Sequence, residues 1–205
     1  MSDETFTIHR LRRDPEGFWA EMLDVHRTAF AGSPDPNPAH RAFATLEAAG
    51  RLEAIVTQNA DRLHQAAGAS EVIELHGNLA EARCRDCSTR SEMDDAIARA
   101  EDGELPPTCR SCGGVLKPAG VLFGEQLPER ALLRAHALAE RSDVFLVAGS
   151  SLSVEPAASL PETAADRGAT LAIVNLEPTP HDGVADYVFR EDVTEILPTL
   201  ANALG

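Results

Sequence analysis

Lysine is almost absent from this chain. Lys117 is the only one, and the other 17 basic residues are arginines. Set against 33 acidic residues, they leave a formal net charge of −15. Such a surface repels phosphate, so direct nucleic-acid binding is not expected. Long apolar runs are missing too. None approaches the ~20 residues of a membrane-spanning helix, and MSDETFTIHRLRR at the start lacks the hydrophobic centre of a signal peptide. No membrane partner is expected, and a cytoplasmic location is. Repeats and low-complexity segments are also lacking. The acidic excess favours solubility but repels itself unless salt screens it, which points to a halophilic source. An acidic protein from a GC-rich genome explains the lysine-to-arginine skew equally well.

The remaining composition, 43% hydrophobic and 25% charged, is that of a globular protein with one substantial core. Phe18, Trp19, Met22, Val25, Ala29 and Phe30 recur at helical spacing, predicting a helix over 15–30. The segment 32–38, GSPDPNP, reads as a loop and 39–49 as a second helix. Short apolar strands then follow at 53–56, 72–75, 144–148, 170–174 and 186–189. Helices near 129–141, 156–167 and 193–203 lie among the later ones. This order predicts an α/β fold, a Rossmann-like parallel sheet with helices on both faces, plus a small inserted module.

Polar residues crowd the strand exits. Gln58, Asn59, Asp61 and His64 follow the first strand, and His76-Gly77 the second. Gly149-Ser150-Ser151 and Asn175-Leu176-Glu177 follow two later strands. Asn, Asp and Gly end strands everywhere as turn residues. Ligands of open α/β sheets, however, bind outside the carboxyl ends of the strands, where such groups converge. Gly149 permits close backbone approach, and Asn175 and Glu177 have the chemistry to bind ribose hydroxyls.

All four cysteines fall in one region, as Cys84-Arg-Asp-Cys87 and, 21 residues on, Cys109-Arg-Ser-Cys112. Paired C-x-x-C turns at this separation describe a tetrahedral four-cysteine zinc site with no open coordination position, hence structural. Iron in a rubredoxin-like site is the alternative. The metal staples a module at 81–117, inserted into a nucleotide-binding domain formed by 1–80 and 118–205.

TQNADRLHQAAG, ELHG, the two C-x-x-C pairs, LKPAGVLFGEQLP, GSSLSVEPA and NLE, in this order, resemble the sirtuins, NAD-dependent protein deacylases. The resemblance implies that His76 is the general base, a role that suits histidine because a neutral imidazole can accept a proton. It places Gln58, Asn59 and Asp61 in the TQN-x-D motif, with Asn59 and Asp61 lining the nicotinamide pocket and His64 holding the loop. Gly149, Ser150 and Ser151 would border the phosphates and ribose of NAD, Asn175 and Glu177 the adenosine ribose, and Asp192 and Val193 the adenine. Val121, Leu122, Phe123, Gly124 and Glu125 would pair with an acyl-lysine peptide as an added strand, flanked by Ser153, Val154 and Glu155. Phe123 and Val121 would wall the acyl-lysine tunnel, simple core packing being their other reading.

In this family the acyl oxygen attacks the nicotinamide ribose, nicotinamide leaves, and O-acyl-ADP-ribose forms. Members preferring acidic acyl groups carry a Tyr-x-x-Arg pair where this chain has Met22 and Val25, so a neutral acyl group is implied. Arg62 stands where glycine or asparagine is common. The family also opens its nucleotide fold with a strand and a GAGxSxxSGIPxFR loop. Ahead of Thr57 the only glycines here are Gly17, Gly32 and Gly50, none in a G-x-G arrangement, and the helical part at 14–50 is where the match starts. A start placed too far downstream, a remnant with weak NAD binding, or a compact variant that holds NAD otherwise would each explain this. TFTIHRL is a candidate replacement edge strand. A non-catalytic zinc-stapled peptide-binding module and a mono-ADP-ribosyltransferase are the alternative functions.

Overall fold

The computed structural model describes residues 5–29 and 34–204. Phe30 and the first two residues of the 32–38 loop lie outside them. In chain order the elements are α1 (Ile8–Arg13), α2 (Pro15–Ala29), α3 (Pro38–Ala48), β1 (Ile55–Thr57), α4 (Leu63–Ala66), β2 (Val72–Glu74), β3 (Glu81–Cys84), β4 (Arg90–Glu92), α5 (Met93–Glu101) and β5 (Leu116–Pro118). They continue as α6 (Glu129–Ala139), β6 (Val144–Ala148), α7 (Leu160–Asp166), β7 (Thr170–Val174), β8 (Tyr187–Phe189) and α8 (Val193–Leu204). No described helix is long and apolar enough to cross a membrane. The chain divides into two compact units, the first made of Met1–Pro34, Asn59–Arg62 and His76–Leu127, the second of Asp35–Gln58, Leu63–Leu75 and Pro128–Gly205.

In the first unit, α2 begins as its sequence dictates. Asp14 accepts the Gly17 N–H at 3.0 Å, and Pro15 occupies the first helical position, where its missing donor costs nothing. The apolar stripe of α2 supplies Phe18 and Trp19, both fully buried. They pack with Leu11 of α1, with Met93, Ala96 and Ile97 of α5, and with Leu116 of β5. Strands β4-β3-β5 form an antiparallel sheet, with Cys84 opposite Leu116. Trp19 Nε1 donates to the Leu116 carbonyl at 2.8 Å, so the indole satisfies a buried acceptor of the sheet while filling the core.

TFTIHRL is not an edge strand. Thr7 caps α1 through its Oγ1, which accepts the Arg10 N–H at 3.0 Å, and the chain turns helical from Ile8. Only Thr7 keeps a strand-like contact, a single parallel bridge to Phe123.

The second unit carries the parallel strand pairs, in two sheets: β1-β2, and β6-β7-β8. The predicted strands are present within a residue or two of their expected ends, but not as one continuous sheet. Among the described residues β1 is bordered only by β2 and β6 only by β7. Val144, at the start of β6, is 63% exposed, as an uncovered edge would leave it. Leu46 of α3 and Leu197 of α8 form one core, and Val147, Leu171 and Ile173 of the β6-β7 pair another. The segment 156–167 splits into a short 3-10 turn, Ala157–Ser159, and α7, whose first turn holds Pro161, where the missing donor costs nothing. Replacing Trp19 by Phe should destabilise the protein by about 2 to 4 kcal/mol, through a buried carbonyl left without its donor and a residual cavity. Urea unfolding followed by circular dichroism measures this, and an unchanged midpoint would contradict it.

Candidate functional site

Three loops of the first unit are tied together by backbone hydrogen bonds. Asn59 to Arg62 follow β1 with a bend at Asp61 and Arg62 at φ +61°, and the Ala60 carbonyl accepts the Leu79 N–H at 2.9 Å. The loop after β2 carries His76, whose carbonyl accepts the Val121 N–H at 2.8 Å. Gly77 sits between them at φ +63°, and a Cβ there would lie 2.4 Å from the Ala119 carbonyl oxygen. Only glycine fits both the left-handed backbone and that approach. Asn59 and Asp61 are exposed and His76 half-buried. The unit therefore places the Asn59–Asp61 loop, His76 and the start of the 121–125 segment side by side.

The 121–125 segment is not a regular strand. Phe123 donates its N–H to the Phe6 carbonyl at 3.1 Å and accepts the Ile8 N–H at 3.0 Å, so the N-terminal segment holds one edge. The Leu122 N–H is taken by Glu125 Oε2 at 2.8 Å. Leu122 points into the core, whereas Phe123 is 60% exposed, so simple core packing does not describe Phe123.

Two residues with structural weight here escaped the motif reading. Asn78 is buried and accepts the Glu81 N–H at 3.1 Å, fixing the start of β3 just after the histidine. Lys117 is buried in β5, where desolvation lowers its pKa below the usual lysine range and the Glu125 carboxylate opposes that shift. A polar residue adjoining His-Gly, and a lone lysine inside an apolar strand, were the available signals.

The four thiols lie within 4.8 Å of one another. Cys84 Sγ is 3.5 Å from Cys112 Sγ, and Cys87 Sγ is 3.6 Å from Cys109 Sγ. Tetrahedral Zn–S bonds of about 2.3 Å require S···S separations of about 3.8 Å, so the cluster fits a zinc ion. The two turns share a design. The Ser88 N–H returns to the Cys84 carbonyl and the Gly113 N–H to the Cys109 carbonyl, and Ser88 (φ +61°) and Gly113 (φ +76°) are both left-handed. Beside the second turn, Arg99 and Thr108 hold the Glu104 carboxyl down to about 2, so it stays ionised and anchors the chain leading to Cys109.

In the second unit Gln58 directly follows β1. The exits of β6, β7 and β8 meet. Gly149, at φ +61°, donates to the Val174 carbonyl at 2.9 Å, and its missing Cβ faces Val193 at 3.7 Å. Asn175 donates its N–H to the Phe189 carbonyl at 3.0 Å and its Nδ2 to the Glu177 carbonyl at 2.8 Å. Asp192 caps α8, accepting the Thr194 N–H and hydroxyl at 2.7 Å, the hydroxyl first among the bonds that lower its pKa. Gly149, Asn175 and Val193 thus border one place, with Glu177 and Ser151 exposed beside it. A glycine backbone and serine hydroxyls can donate to phosphate, and the exposed Glu177 carboxylate can accept from ribose hydroxyls. Ser153 and Val154 lie in the loop beyond Ser151, both exposed. His64 packs its ring against His40 and Phe43, with centroids 4.8 and 5.8 Å away.

Comparison with known proteins identifies the family. The family model described as "Sir2 family" matches residues 1–156. The NAD-dependent protein deacetylase of Haloarcula marismortui is 48% identical over 201 residues, covering 97% of this chain and 77% of that one. NAD-dependent protein deacetylase 2 of Streptomyces coelicolor is 47% identical, covering 100% and 85%. Among solved structures, Sir2Tm bound to a propionylated peptide superposes with a TM-score of 0.88 at 38% identity, covering 97% of this chain and 83% of that one. A complex of Sir2 with a p53 peptide and NAD+ gives 0.86 at 38% identity, covering 98% and 83%. On the family match and these identities, the chain belongs to the Sir2 family.

Proposed function

We propose that this protein is an NAD-dependent protein-lysine deacylase with His76 as its general base and a neutral acyl-lysine as its substrate. The observation that carries this is the backbone tie between the Asn59–Asp61 loop, the His76 loop and the 121–125 segment. Relatives at 42% to 48% identity bear deacetylase or deacylase names. NAD, when bound, supplies the ribose carbon that accepts the acyl oxygen as nicotinamide leaves.

The chain's own residues have separate tasks. Asn59 and Asp61 orient the carboxamide end, and Gln58 holds the turn that presents them. Gly149, Ser150 and Ser151 receive phosphate and ribose, Asn175 and Glu177 the second ribose, and Asp192 and Val193 the base beyond it. His76 takes a proton from a ribose hydroxyl, a role for which a neutral imidazole is needed. Val121 to Glu125 receive the peptide, and Ser153 and Val154 are read as further contacts to it. Residues 81–117 form the zinc-binding module that supports this segment.

The acidic surface suits concentrated salt, and we read the protein as one of a halophile's cytoplasm. A melting temperature that fails to rise between low and molar potassium chloride would refute the halophile reading.

Incubation with NAD and an acetyl-lysine peptide, followed by mass spectrometry, tests the main proposal. O-acetyl-ADP-ribose and free lysine are the expected products, and His76→Ala should reduce their formation by about 10²-fold or more. An ADP-ribosylated protein would instead establish transfer, and unchanged peptide would establish binding alone.

A further inference from the structure

The chain's one lysine is not on the surface. Lys117 lies in β5 with its side chain 8% exposed. Its Nζ donates to the carbonyls of Pro118 at 2.7 Å and Gly120 at 2.9 Å, and meets Glu125 Oε2 at 3.1 Å. An ammonium group has three donors, and these are three partners. The same Glu125 oxygen accepts the Leu122 N–H at 2.8 Å, and the Glu125 N–H returns to the Leu122 carbonyl at 2.9 Å. One charge pair thus closes a ring through Pro118, Gly120, Leu122 and Glu125.

The ring decides the shape of what it encloses. Leu122 is drawn into the core, Phe123 is turned outward, and Gly124 takes φ +84°. The opposite edge is closed by the bonds of Phe123 to Phe6 and Ile8. The segment is therefore rigid before any ligand arrives, which spares a peptide the cost of ordering it. A neutral side chain at 117 would leave a carboxylate that is only 24% exposed without its cation, and two carbonyls without a donor.

We propose that Lys117 is a positioning residue, whose ion pair with Glu125 presets the 121–125 segment in the form that receives an extended acyl-lysine peptide. This rests on the peptide-binding reading of that segment. Lys117 itself, enclosed by three acceptors, is no substrate for acylation, and the chain has no other lysine side chain.

Lys117→Met tests the role. Fluorescence anisotropy with a labelled acetyl-lysine peptide gives affinity, and hydrogen exchange reads the Leu122 amide directly. Zinc content and circular dichroism report folding. The variant should bind peptide about tenfold or more weakly and exchange the Leu122 amide about tenfold or more faster, with exchange in β6 and β7 unchanged. Lys117→Arg, which keeps the charge, should recover part of both. Should Lys117→Met lose its zinc, Glu125→Gln, which removes only the charge, carries the same two expectations. A folded variant with wild-type affinity overturns the positioning role. A wild-type protein that does not bind the peptide overturns the peptide-binding reading and this inference with it.

Discussion

The candidate catalytic site of the first unit depends on one close approach, the passage of Gly77 over the Ala119 carbonyl. A Cβ at residue 77 would stand 2.4 Å from that oxygen. Because nothing is there, the Val121 N–H reaches the His76 carbonyl at 2.8 Å, and the histidine is held beside the start of the 121–125 segment. The Ala60–Leu79 bond then brings the Asn59–Asp61 loop to the same place. Backbone contacts hold these groups side by side. That suits a reaction in which misplacement by about an ångström costs about 10² in rate.

Around this contact the unit is made stiff by unlike means that meet in β5. The thiol cluster draws the Cys84 and Cys109 turns together, and Cys84 is paired opposite Leu116. Trp19 grips the Leu116 carbonyl from the core, and Lys117 fastens the chain that follows. A strand of three residues has little stability of its own. Indole and ammonium supply it, as would a zinc ion held by the four thiols, and the strand delivers residues 118–121 to the histidine loop. The second unit uses a more familiar device, the convergence of parallel strand ends at Gly149, Asn175 and Val193, with short Gly and Asn residues keeping the space open.

Much of this was legible in the sequence, for identifiable reasons. C-x-x-C spacing is a covalent constraint and survives any tertiary context, so the thiol cluster could be read directly. Apolar runs ending in polar residues marked β6 and β7 to the residue. TFTIHRL misled because alternating apolar residues fit a strand, whereas Thr7 acts as a helix cap, a local hydrogen bond that periodicity does not register. One parallel sheet was expected and two are found, because the alternation of strands and helices does not by itself say which strands are neighbours. Lys117 was noticed only as a compositional oddity. Its meaning lies in three acceptors brought to it by the fold, which no spacing rule contains.

The measurement that tests this account most directly is deacylation by Gly77→Ala, with zinc content and far-ultraviolet circular dichroism measured alongside. The account predicts that the variant keeps its zinc and its secondary structure while O-acyl-ADP-ribose formation falls by about 10²-fold, as the histidine loop is pushed off residues 119–121. Wild-type turnover by Gly77→Ala would contradict it.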